Sequence, residues 1–105
     1  MRSSFAILVA TVLPAALALA AEVASVPQKN RAFVVRDVQI ASGGSVRFAN
    51  DDEFVHQIYV QSPSFSYESA EQPPGDAVVV RFPVAGTFEV RCHIHPKMLL
   101  HVDVR

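Results

Sequence analysis

Residues 77–92 are Ala-Val-Val-Val-Arg-Phe-Pro-Val-Ala-Gly-Thr-Phe-Glu-Val-Arg-Cys, a valine-rich alternation broken once by a turn. Val78, Val80 and Phe82 share one parity. Pro83 to Gly86 supply a turn, after which Phe88, Val90 and Cys92 alternate with Glu89 and Arg91. Period-two alternation on both sides of a Pro/Gly turn predicts two half-buried strands, with Cys92 pointing inward at the end of the second.

The same pattern continues in both directions. Downstream, Met98, Leu100, Val102 and Val104 fall on one face of a strand over 98–105, and Leu99, His101, Asp103 and Arg105 on the other. Upstream, Phe33 to Ile40 is β-rich, and Ser42-Gly43-Gly44 reads as a hairpin signal before Val46 and Phe48 in the next strand. Asn50-Asp51-Asp52-Glu53 reads as a solvated polar loop; no second oxygen-rich segment accompanies it to suggest calcium. His56, Ile58 and Val60 share the apolar parity of a strand over 56–60. Residues 61–76, with Pro63, Pro73, Pro74 and Gly75, predict a long loop in which Phe65 and Tyr67 pack their rings from a loop or flanking strand. Glu22 to Arg31 reads as a polar, irregular lead-in.

Composition agrees with strands. Residues 22–105 hold 15 Val against 2 Leu and 7 Ala, the reverse of what a helical bundle uses. The expectation is one all-β domain, a small Greek-key sandwich or barrel over 32–105. With 8 basic and 10 acidic side chains, this body lacks the basic footprint of a nucleic-acid binder.

Residues 1–21 differ sharply, with 16 apolar residues and one charge, Arg2. A charged start, the apolar run Phe5–Leu13, Pro14 and the small residues Ala18-Leu19-Ala20 predict a signal peptide cleaved after Ala20 or Ala21. An uncleaved anchor is the rival, because Phe5 to Ala21 approaches the lower limit of a span; Pro14 and the small residues favour cleavage. The body is therefore expected outside the cytoplasm, in the periplasm, with no membrane span once the signal is removed.

Cys92 is the single cysteine, which excludes an intrachain disulfide framework. A lone inward cysteine is ordinarily a small buried hydrophobe, and a lone inward histidine or methionine is ordinarily satisfied core. The neighbours of Cys92 change that reading. Residues 92–98 are Cys-His-Ile-His-Pro-Lys-Met, so Cys92, His95 and Met98 are spaced C-x-x-H-x-x-M between two strands, and His56 stands inward on an earlier one. One thiolate, two imidazoles and one thioether form the donor set of trigonal copper sites with a weak axial methionine. Zinc also accepts His₂Cys, but a hydrolytic zinc site needs an open water position and a general base, and Met98 takes the fourth position. No Ser-His-Asp arrangement, phosphate loop or paired carboxylates are present, so no enzyme activity is expected.

These residues resemble the cupredoxins, in particular the small amicyanin- and plastocyanin-like blue copper proteins. The likeness extends over Ala32 to Arg105. It includes Asn50 six residues before His56, Pro74-Gly75, the run Phe82 to Val90, a closing Val-x-Val and a short ligand loop of the amicyanin type. The resemblance implies one copper ion cycling between Cu(I) and Cu(II), with His56, Cys92 and His95 as equatorial ligands and Met98 axial. It further implies that Asn50 hydrogen-bonds across to the strand bearing the cysteine. Electrons would cross an apolar patch at the edge of His95, to which Pro96, Met98 and Leu99 contribute with Lys97 on the rim. The implied role is a monomeric periplasmic one-electron carrier between redox partners such as a cytochrome or a dehydrogenase. Copper tolerance or delivery is the alternative. His93 and His101, outward by parity, are the features that would favour it, as a second weak metal point or as groups tuning a green rather than blue site.

Overall fold

Valine-rich alternation becomes nine strands among the described residues, which in this computed structural model are 22–105 together with Ser4 and Ala6. They are β1 (Val23–Lys29), β2 (Ala32–Phe33), β3 (Asp37–Ile40), β4 (Ser45–Asn50), β5 (Ile58–Gln61), β6 (Ser66–Glu68), β7 (Ala77–Arg81), β8 (Gly86–Cys92) and β9 (Leu99–Val104). The export signal expected over 1–21 lies, apart from Ser4 and Ala6, outside the described residues. No helix among the described residues is long and apolar enough to cross a membrane.

The strands form two sheets, ordered β2-β1-β4-β7 and β3-β9-β8-β5-β6. Pairing is antiparallel except for β1 with β4 and β3 with β9. One sheet contributes Val26, Val46, Phe48 and Val80 to a shared core, and the other contributes Ile40, Ile58, Val60, Phe88, Val90, Leu100, Val102 and Val104. Each fully buried Val, Leu or Phe adds roughly 1.5–3 kcal/mol of transfer free energy, so these inward faces hold the sheets together as a sandwich. Phe82, just past β7, packs against Phe65 and Phe88 at ring-centroid distances of 5.2 and 5.9 Å.

Four local expectations are corrected. Residues 23–29 are a strand rather than an irregular lead-in, pairing in parallel with β4 from Val23↔Ser45 to Gln28↔Asn50. Residues 33–40 are two strands in different sheets, joined by the exposed Val34 and Val35. The Ser42-Gly43-Gly44 turn makes no hairpin, because β3 and β4 belong to different sheets. It is instead a crossing held at both ends: the Ser42 amide donates to Arg105 O, and the Gly43 amide to Phe82 O. A Cβ at Gly44 would meet Ala41 O at 2.9 Å, so glycine is what lets this crossing close. The loop over 61–76 also contains β6, which pairs with β5 and turns Tyr67 against the core.

Candidate metal centre

β8 runs through the middle of its sheet and delivers Cys92 at its last position, opposite Ile58, with the side chain buried. His56 precedes β5. Its backbone is fixed by a two-way bridge to Gln72, whose carbonyl accepts from the His56 amide at 3.1 Å and whose amide donates to His56 O at 2.6 Å. His95 lies in the β8–β9 loop, half-buried, and its carbonyl accepts from the Met98 amide at 3.0 Å. That single bond closes the loop tightly between two strands.

These elements bring three donor atoms together. His56 Nδ1 and His95 Nδ1 are 3.1 Å apart, and Cys92 Sγ lies 3.7 Å from the first and 3.9 Å from the second. A point equidistant from the three atoms is about 2.1 Å from each, within the roughly 2.0–2.3 Å at which nitrogen and thiolate hold a zinc-sized ion. Among the described residues this is the one group of His, Cys, Asp and Glu side chains arranged to hold a metal. Met98 is buried in the same cluster as Cys92, inward on the strand parity its spacing predicted.

The surroundings prepare each donor. Asp52 Oδ2 lies 3.1 Å from His56 Nε2, with both side chains buried. An ionised carboxylate there accepts a hydrogen bond from Nε2–H, which leaves the Nδ1 lone pair bare and aimed at the centre. Burial by itself would raise the Asp52 carboxyl. The Arg31 amide at 2.7 Å, the His56 ring and the Glu53 amide at 2.9 Å outweigh burial and hold it below its ordinary value. Burial, together with the fields of His56 and Arg31, lowers His95 against a smaller opposing pull from Asp52, so its ring stays neutral into mildly acidic solution. The Gln57 amide donates to Cys92 Sγ at 3.4 Å and fixes the sulfur in place.

The structure brings His56, Cys92 and His95 together, and several residues around them differ from the sequence expectation. Asp52 is no solvated loop residue but the group that orients His56. Asn50 does not reach the cysteine strand: its Nδ2 donates to Phe54 O and Gln72 O, and its Oδ1 accepts from the Asp52 amide. It therefore pins the loop that presents Asp52 and His56. Behind it, Gln28 and Gln72 are fully buried and joined side chain to side chain at 3.1 Å. The groove beside His95 is lined by Arg31, Ile94, His95, Pro96 and Lys97, so Ile94 and Arg31 take the places expected of Met98 and Leu99. Only the four-residue spacing of Asp52 and His56 signalled any of this in the sequence.

His93 and His101 stay out of the centre, each with its own partners. His93 stacks on Tyr59 with ring centroids 3.8 Å apart and pairs with Glu68 at 3.2 Å. His101 lies 3.8 Å from both Asp37 and Glu89. Neither joins the group that could hold a metal. We expect His93→Ala to leave the optical spectrum of the metal-loaded protein unchanged, whereas a His93 ligand would make that band shift or disappear.

The architecture is the cupredoxin fold. A purple cupredoxin from Nitrosopumilus maritimus superposes with a TM-score of 0.70 at 20% identity, over 78% of this chain and 99% of that one. Amicyanin from Paracoccus versutus gives 0.73 at 20% identity, over 84% and 86%. The copper-containing nitrite reductase of Thermus scotoductus gives 0.70 at 23% identity, but the match spans only 22% of that longer chain. No sequence-family model and no curated protein matches the chain.

Proposed function

We propose that this protein is a type 1 copper protein that carries single electrons between larger redox proteins in the periplasm. The observation that carries this reading is the convergence of two imidazole Nδ1 atoms and one thiolate on a single point, with no carboxylate among them. That soft and borderline donor set suits copper, and Met98 would complete it as a weak fourth ligand. Among the structural neighbours, amicyanin is known in a reduced Cu(I) form. Copper held there would supply a one-electron Cu(II)/Cu(I) cycle.

The chain's own residues supply rigidity and exclusion. His56 is locked by Asp52 and Gln72, and Cys92 by its strand and the Gln57 amide. His95 is held by the short loop, so the three donors keep their places when charge at the centre changes. Burial of His56, Cys92 and Met98 excludes water from three sides, and His95 alone leads toward solvent. Asp52 is the nearest acid, and it is committed to His56 and two amides rather than free to act as a general base. The geometry therefore favours a carrier over an enzyme.

Titrating the protein with copper(II) should produce an intense thiolate-to-copper band in the visible, and Cys92→Ser should abolish it. Met98→Leu should keep the band and move the reduction potential. A wild-type protein that stays colourless with one equivalent of copper(II) bound would overturn the assignment.

A further inference from the structure

The groove beside His95 has a volume of about 290 Å³. Its lining combines the apolar Pro96 and the exposed Ile94 with the cations Arg31 and Lys97. Neither cation makes an ion pair among the described residues. The body as a whole is acidic by formal count, 8 basic against 10 acidic side chains, so this basic rim runs against the overall charge.

Arg31 is held at the rim by a specific device. Lys29 pairs with Ala32, which leaves Asn30 and Arg31 as a two-residue turn. Both adopt left-handed backbone angles, with φ of 54° and 55°. Arginine tolerates that region poorly. Two contacts offset the strain: the Arg31 amide donates to Asp52 Oδ2 at 2.7 Å, and the guanidinium lies over the Phe54 ring at 3.9 Å. Phe54 in turn meets His95 edge-on, with centroids 6.0 Å apart. The charge is thus fixed one ring away from the histidine through which the centre approaches solvent.

We infer that the redox protein docking over His95 presents an acidic patch around an apolar centre, matched to Arg31 and Lys97. The inference rests on the copper reading above and specifies the partner's chemistry. Apolar contact at Ile94 and Pro96 would exclude water over His95, and Arg31 and Lys97 would select and orient the partner by charge.

The test compares electron transfer from the reduced, copper-loaded protein to an acidic and to a basic c-type cytochrome across ionic strength. At low salt the acidic cytochrome should react roughly tenfold faster or more. That advantage should fade as salt shortens the screening length toward about 3 Å at 1 M. The pair Arg31→Asn and Lys97→Gln should lose most of the advantage while keeping the charge-transfer band; asparagine suits the left-handed backbone, so the turn survives. Arg31→Lys should retain it. An unchanged preference in the double variant, or a wild-type protein that reacts faster with the basic cytochrome, would overturn the inference with the copper site intact. Absence of the band in the wild type would instead overturn the copper reading, and this inference with it.

Discussion

Cutting Asp52 back to alanine should cost about 3 kcal/mol of stability and weaken copper binding by about 10- to 100-fold. The carboxylate accepts from the Arg31 amide, the Glu53 amide and the buried ring of His56. Alanine leaves His56 Nε2–H without a partner in a fully buried setting, where an unmade hydrogen bond costs most. The ring also loses what fixes its tautomer, so Nδ1 must compete with a proton for the metal. Asp52→Asn keeps the shape and one acceptor and should cost about half as much. Denaturant unfolding of the metal-free protein and competitive copper titration read the two effects separately. Unchanged values in both would show that Asp52 does not support the centre.

The same carboxylate sets part of the pH dependence. Its folded value is lowered, so its contribution is present above the unfolded value near 3.9 and is lost as pH falls through the folded one. His95 acts in a higher window. Its folded value is also lowered, so below about pH 6.5 the unfolded chain binds a proton that the folded protein resists, and stability falls with it. The metal-free protein should therefore lose stability on acidification in two stages. Asp52→Asn should remove the lower stage and leave the upper. A stability profile flat from pH 7 to 4 would contradict the His95 assignment, and an Asp52→Asn variant that loses stability below pH 4 as the wild type does would contradict the Asp52 assignment.

Parity made the inward residues legible in the sequence. Phe88, Val90 and Cys92, then Met98, Leu100, Val102 and Val104, all lie buried where alternation put them. What parity cannot report is the partner of a strand. β1 escaped notice because Pro27 and the inward Gln28 interrupt its apolar alternation, and its parallel partner β4 lies about twenty residues away. Gly43 and Gly44 announce a turn but not that the chain leaves one sheet for the other there. Asp52 looks like its neighbours Asp51 and Glu53 until Arg31 arrives from the β1–β2 turn and His56 folds over it. The expected donors could be grouped from the sequence because three of the four lie within residues 92–98. Their supporting shell could not, because each of its bonds joins segments that meet only in the folded chain.

Phe82→Ala should be the most damaging core change, at about 3–5 kcal/mol. The ring is fully buried and sits between Phe65 and Phe88, bridging the β6 edge and the central strand β8. The Phe82 backbone also clamps the sheet crossing, donating to Gly44 O and accepting from the Gly43 amide. Alanine keeps those backbone bonds, so the loss measures the ring alone. A small domain has about 5–15 kcal/mol in total, and this short body belongs toward the lower end, so the metal-free variant should be largely unfolded near 40 °C. Copper taken up at this centre would bind the folded form preferentially, so stoichiometric copper should restore the fold with an affinity reduced by the free energy of refolding. Circular dichroism of the metal-free variant followed by a copper titration checks both halves. A metal-free Phe82→Ala protein as stable as wild type would mean that the three rings do not hold the sandwich together at this end.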